Sequence, residues 1–231
     1  SWSEPVIITN EEDIQGDSLA RDPLLFQRNG RLWLMYLFQH GLGSGWRSPR
    51  IDGYLRWSDN AGDSWSDPRI VDIGEIQDGN FKQVTPISPP VALNDSTLGF
   101  PFYYRYVGEV QAYFGFMRCD ENMESFNVEL FEDITLPLPS KINEPTIFQS
   151  GDDFTVYFRS SRGEIDFITT DDNGDSWSDI TGTGLPNSST KIEAITYNDE
   201  LILALNNSFR ARDNLSILRG NHLEMQTICY V

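Results

Sequence analysis

The side chains best suited to chemistry are one acid and a small set of arginines. Glu144 sits in Asn143-Glu144-Pro145-Thr146-Ile147, where an apolar run opens. Arg159 closes Tyr157-Phe158-Arg159, Arg162 follows just beyond it, and Arg210 and Arg212 flank Ala211. Arginine presents paired donors in one plane, fits a carboxylate bidentately and stays charged at any working pH. A carboxylate within reach of a hydroxyl can act as its base. Each residue also admits a plainer role. Glu144 could cap a turn at a strand edge, and Arg159 could pair with any of the 35 acidic residues. Arg210 and Arg212 could form surface pairs with Asp213. His40 and His222 stand singly, and Cys119 and Cys229 show neither a metal spacing nor a disulfide framework.

The elements that must hold these groups are strands. With 231 residues, the chain fits one compact unit, and 13% aromatic content supports a packed core. The 18 Gly and 12 Pro recur at turn-like intervals, the texture of an all-β protein. A formal net charge of -18 argues against whole-surface attraction to nucleic acid, although a local arginine cluster can still hold an anion. No apolar run approaches the roughly 18 residues needed to span a bilayer, so membrane insertion is not expected. No secretory signal is read. The chain starts at Ser1 without Met, as a processed, trimmed or partial sequence would. A secreted or periplasmic setting is compatible with it.

Self-similarity carries the fold. Ser58-Asp-Asn-Ala-Gly-Asp-Ser-Trp65 and Thr170-Asp-Asp-Asn-Gly-Asp-Ser-Trp177 nearly match, and each continues as Trp-Ser-Asp. Weaker copies run from Cys119 to Phe126 and from Ser216 to Leu223, and Ser1-Trp2-Ser3-Glu4-Pro5 reads as the tail of another. In such a segment Gly allows a positive φ, the Asp and Ser/Thr side chains bond backbone within the turn, and Trp plugs between sheets. Before each copy comes strand, turn, strand: Pro23–Phe26, Asn29-Gly30, Leu32–Tyr36; Pro90–Leu93, Asn94-Asp95, Leu98–Phe100; Pro145–Phe148, Gly151–Asp153, Phe154–Phe158; Glu193–Thr196, Asn198-Asp199, Leu201–Leu205. The expectation is an antiparallel β-propeller of four-stranded blades, with one domain over 1–231. Its blades fall near 21–80, 81–138, 139–188 and 189–231, and residues 1–10 supply the outer strand of a preceding blade.

The repeated segments resemble the Asp box, Ser/Thr-x-Asp-x-Gly-x-Thr/Ser-Trp; the second copy is complete, and the first has Asn60 at the central position. With the order of the other features, the chain resembles the exo-sialidase (neuraminidase) family. That resemblance implies a six-bladed propeller of which this chain looks like blades two to five. It implies an exo-α-sialidase that removes terminal sialic acids from glycoconjugates with retention of configuration. Glu144 would polarise a tyrosine nucleophile, and Arg159 and Arg212 would clamp the substrate carboxylate. Arg212 is favoured over Arg210 by its spacing to Leu215. A neutral tyrosine suits this substrate because a carboxylate nucleophile would be repelled by the sugar's own carboxylate.

Tyr103, in Pro101-Phe-Tyr103-Tyr104-Arg105, resembles a pocket-lining tyrosine. Arg21 and Asp22 open an inner strand facing the same mouth, and Trp46 belongs to a glycine-rich loop, His40 to Asp52, that could wall it. By this alignment the family's Arg-Ile-Pro element and acid/base Asp belong before Ser1 and the nucleophilic Tyr beyond Val231; Tyr230 follows Arg212 too closely. The resemblance implies a sialylated glycan or related carbohydrate as partner, with no organic cofactor. Some sialidases hold Ca²⁺, but no ligand cage of the expected spacing is visible. Two other readings fit the same fold: a non-catalytic propeller that binds glycans or proteins, and another carbohydrate-active propeller such as a polysaccharide lyase.

Overall fold

The computed structural model describes Ile8 and residues 19–40, 50–71, 81–82, 86–106, 108–221 and 224–230. Every element among them is a strand, and no helix there is long and apolar enough to cross a membrane. Two compact units are present, residues 1–80 and 81–231.

In the first unit, β1 (Leu19–Arg28), β2 (Arg31–His40), β3 (Arg50–Ser58) and β4 (Arg69–Ile70) pair in chain order as an antiparallel meander. In the second, β5 (Phe81–Lys82) and β6 (Val91–Ala92) both pair with β7 (Thr97–Tyr106), followed by β8 (Tyr113–Asp120) and β9 (Phe126–Phe131). The first strand of this blade is thus split in two. Next come β10 (Ile142–Ser150), β11 (Asp153–Ser160), β12 (Glu164–Thr170) and β13 (Thr181–Pro186), then β14 (Glu193–Tyr197), β15 (Glu200–Asn206), β16 (Leu215–Gly220) and β17 (Met225–Tyr230). These sheets are blades of a β-propeller, and the fold is all-β. Residues 1–10, apart from Ile8, lie outside the described residues, as do residues 41–49, which carry Trp46; the expected loop from His40 to Asp52 is shorter than that, since His40 ends β2 and Arg50, Ile51 and Asp52 open β3.

Turn chemistry explains the hairpins. Asn29 and Gly30 both have positive φ (52° and 76°), as do Asn198 and Asp199 (50° and 60°), the signature of two-residue type I′ turns. In the complete Asp box, the Thr170 hydroxyl donates to Asp172 Oδ1 at 2.7 Å and accepts the Gly174 N–H at 3.0 Å. Asp172 also accepts the Ser176 N–H at 2.9 Å and the Ser176 hydroxyl at 2.6 Å. Asn60 does the same work in the first box, where its Oδ1 accepts the Ser58 hydroxyl at 2.8 Å and the Ser64 N–H at 3.0 Å. In the third copy the acid is Asp120, which accepts the Asn122 N–H at 2.8 Å and the Glu124 N–H at 3.1 Å. The fourth copy differs. Ser216 lies near the start of β16 rather than at the end of a third strand, and its hydroxyl donates to Asn214 O at 2.8 Å.

The central blade is buried on both faces, because side chains alternate along a strand. Phe154, Val156 and Phe158 of β11 face Phe114 and Phe116 of β8, while Tyr157 faces Leu203 and Leu205 of β15. Trp177 lies edge-on to Phe114 and Phe116, each at 5.1 Å between ring centres, so the box tryptophan does plug one blade onto its neighbour. Arg118 of β8 fastens the same turn by pairing with Glu129 at 2.6 Å and Asp175 at 2.8 Å. This layering holds the ends of β7, β10 and β11 in fixed positions.

Candidate functional site

The site grows from a fault in the β10–β11 ladder. Asn143 pairs with Arg159 and Thr146 with Tyr157, so Glu144 and Pro145 form a bulge. Glu144 has a φ of 40°, unusual for a residue with a Cβ and more so before proline. The bulge aims its carboxylate at the end of β11. There Arg159 Nη1 donates to Glu144 Oε2 at 2.6 Å, with the two side chains 22% and 23% exposed. Arg159 Nε donates to the Ser189 hydroxyl at 3.3 Å, and among the described residues Nη2 donates to none. An acid and an arginine are therefore held together, half-sheltered, with guanidinium donors to offer an anion.

Thr146, on the far flank of the bulge, is fully buried. Its Oγ1 lies 2.8 Å from Ser88 Oγ and 3.0 Å from Glu193 Oε1, and it accepts the Ala194 N–H at 3.2 Å. Ser88 also donates to Glu193 Oε1 at 2.7 Å. Three successive blades thus converge beside Glu144.

The other arginines separate by geometry. Arg162 grips Asp166 through Nη2 and, at 3.2 Å, through Nε. Asp166 is fully buried, so Arg162 is engaged with an interior carboxylate. Arg210 and Arg212 are exposed in the segment between β15 and β16, which is closed by the Asn207 N–H to Asn214 O at 3.0 Å. A Cβ on Gly163 would lie 3.2 Å from Phe209 O, so this segment abuts the hairpin just beyond Arg159. No contact among the described residues joins Arg212 to Glu144 or Arg159.

Tyr103, half-buried on β7, packs against the core shared with β10 and β11. Its ring lies 5.7 Å from the Arg105 guanidinium, and Arg105 Nη2 donates to Asn143 Oδ1 at 2.7 Å. Sequence reasoning passed over Arg105, Asn143 and Ser189. A usable signal for Arg105 was the two-residue period that puts it on the face of Tyr103.

In the other unit, Asp22 is exposed in β1 with a φ of 51°, at a register break between Arg21 and Leu24. The Arg21 side chain and the whole of Trp46 lie outside the described residues. Tyr230 is 72% exposed on β17. Burial pushes the Tyr104 and Tyr157 phenols up, the opposite of activation, and among the described residues no tyrosine hydroxyl bonds to Glu144. No group of three or more His, Cys, Asp or Glu side chains among those residues could hold a metal ion.

The fold recurs in solved sialidases. The Hadza microbial sialidase Hz136 superposes with a TM-score of 0.81 at 18% identity, covering 100% of this chain and 49% of that one. The leech intramolecular trans-sialidase, in complex with 2,7-anhydro-Neu5Ac, gives 0.70 at 17% identity over 90% of this chain and 46% of that one. A protein of unknown function from Dyadobacter fermentans gives 0.67 at 12% identity over 90% and 64%. The chain thus spans about half the length of those two sialidases. At these identities the likeness concerns the fold. No curated protein matches the chain. A family model, that of the BNR repeat-like domain, matches residues 1–227, and the chain belongs to that family.

Proposed function

We propose that this chain carries part of the active site of an exo-α-sialidase-like glycoside hydrolase acting on terminal sialic acids. The observation that carries the reading is the Glu144–Arg159 pair, 2.6 Å apart at the bulged opening of a blade's first strand. In this reading residues 1–231 belong to one propeller domain. Arg159 turns donors toward the substrate carboxylate, with Arg212 as a second donor, and Glu144 accepts the proton of a tyrosine hydroxyl. The phenol oxygen attacks the anomeric carbon, the aglycone leaves with a proton from an acid, and water then releases the sugar with retained configuration. A free phenol has a pKa of about 10, which is why it needs the base. Tyr103 is the proposed lining of the sugar pocket.

The test is turnover of a fluorogenic sialoside by the full-length protein and by Arg159→Ala. The expected result is turnover by the parent and a large rise in KM in the variant, because the carboxylate loses a bidentate partner. Glycan-array binding without turnover would replace this reading with that of a binding propeller. Unsaturated-sugar absorbance from a uronate polymer, with none from the sialoside, would replace it with that of a lyase.

A further inference from the structure

Glu144 cannot hold its own conformation. A non-glycine residue at a φ of 40° that also precedes proline is strained, and such strain persists only where surrounding contacts over-determine it. The flank at Thr146 is pinned by Ser88, Glu193 and the Ala194 N–H. The flank at Asn143 is pinned differently. Its side-chain oxygen accepts a charge-assisted bond from Arg105 Nη2 at 2.7 Å, and Arg105 comes from β7 of the preceding blade.

Arg105 is itself held in place. It lies over the Tyr103 ring at 5.7 Å, and Tyr103 is anchored in the core between the two blades. Its Nε is buried and has no hydrogen-bond partner among the described residues, a cost tolerated where the guanidinium is fixed for another purpose. Asn143 pairs with Arg159 in the ladder, so the same residue registers both members of the Glu144–Arg159 pair.

We propose that Arg105 and Asn143 form a positioning strut: Arg105 holds Asn143, and Asn143 holds the bulge that presents Glu144 to Arg159. The strut touches no reacting atom; it acts through the geometry of Glu144. The kinetic side of this inference rests on the sialidase-like reading, whereas the geometric side does not.

The test uses Arg105→Ala, Asn143→Ala and their combination in the full-length protein, with crystal structures of each and kinetics on the fluorogenic sialoside. Glu144 should leave its left-handed backbone conformation, and its contact with Arg159 should break. Displacement of a catalytic group by about 1 Å costs about 10²-fold, so kcat should fall by that order with KM unchanged. The double variant should lose no more than either single one, because both remove one contact. Arg105→Lys, which keeps a charged donor, should recover most of the loss. Asn143→Ala keeps the test open if Arg105→Ala does not fold. An unchanged Glu144 φ and an intact Arg159 contact in the variant structures would overturn the strut, as would additive losses. If the parent itself does not turn over the sialoside, the functional reading fails, while the structures still decide the strut.

Discussion

Asp22 and Glu144 occupy the same backbone niche in different units. Each precedes a proline, each has a positive φ (51° and 40°), and each lies in a register break of its blade's first strand. A bulge before proline stops the ladder and turns one carboxylate out of the pleat. For Glu144 the turned-out group meets Arg159. Glu144→Gln keeps the shape but loses the proposed base, so on the sialidase-like reading kcat on a sialoside should fall by about 10²-fold or more, with Tm shifted by only a few degrees. Stopped assays at matched folded fraction measure the first and thermal melts the second. Full activity in the variant would remove Glu144 from the reaction.

Trp177 and Gly174 make the blade junction specific. A Cβ at Gly174 would sit 2.6 Å from Phe116 and 3.2 Å from Trp177, at a φ of 90°. Gly174→Ala should therefore destabilise the protein by about 2 kcal/mol or more, through overpacking and backbone strain together. Trp177→Ala should cost about 3 kcal/mol, the low end for a large aromatic, since the ring is only partly buried. Denaturant unfolding separates these from a surface change, which would move the midpoint little.

Much of this fold is local and therefore legible in the sequence. Asn29-Gly30 and Asn198-Asp199 encode their turns through φ alone, and the boxes at Ser58 and Thr170 encode theirs through hydrogen bonds spanning a few residues. The four-stranded blades follow from these signals. The site is less legible. Glu144 and Arg159 could be picked out, but the bulge that joins them depends on pairing between two strands. Arg105 and Asn143 meet across a blade boundary, and no period or turn signal marks that contact. The Ser216 segment shows the opposite error, in which isolated Ser and Gly imitate a box although the strand pairing puts them elsewhere.

Asp172 gives the box a pH signature. Hydrogen bonds from the Ser176 hydroxyl and N–H and the Thr170 hydroxyl hold its carboxyl at about 2, below the ordinary value. A depressed folded-state value means stability that is full above the unfolded pKa of about 3.9 and is lost as pH falls through the folded value. Asp172→Asn should lower Tm at pH 7 by a few degrees, since the amide keeps an acceptor but not the charge, as at Asn60. The gap between parent and variant should narrow as pH falls from about 4 to about 2. Thermal melts across that range check it, and a constant gap would mean that the carboxylate charge is not what the turn uses.

Arg162 and Arg159 should dissociate stability from activity. Arg162→Ala strands the carboxylate of Asp166, which is 0% exposed, in the interior without its guanidinium. Breaking a buried pair from one side costs about 3 kcal/mol or more, yet turnover per folded molecule should be unchanged. Arg159→Ala removes a half-sheltered pair that contributes only about 1 kcal/mol, yet on the proposed reading it should raise KM sharply by removing a donor to the substrate carboxylate. Unfolding curves and KM for the two variants, measured side by side, test the assignment in both directions. If Arg162→Ala raised KM while Arg159→Ala did not, Arg162 would be the clamp and the Glu144–Arg159 pair would be structural.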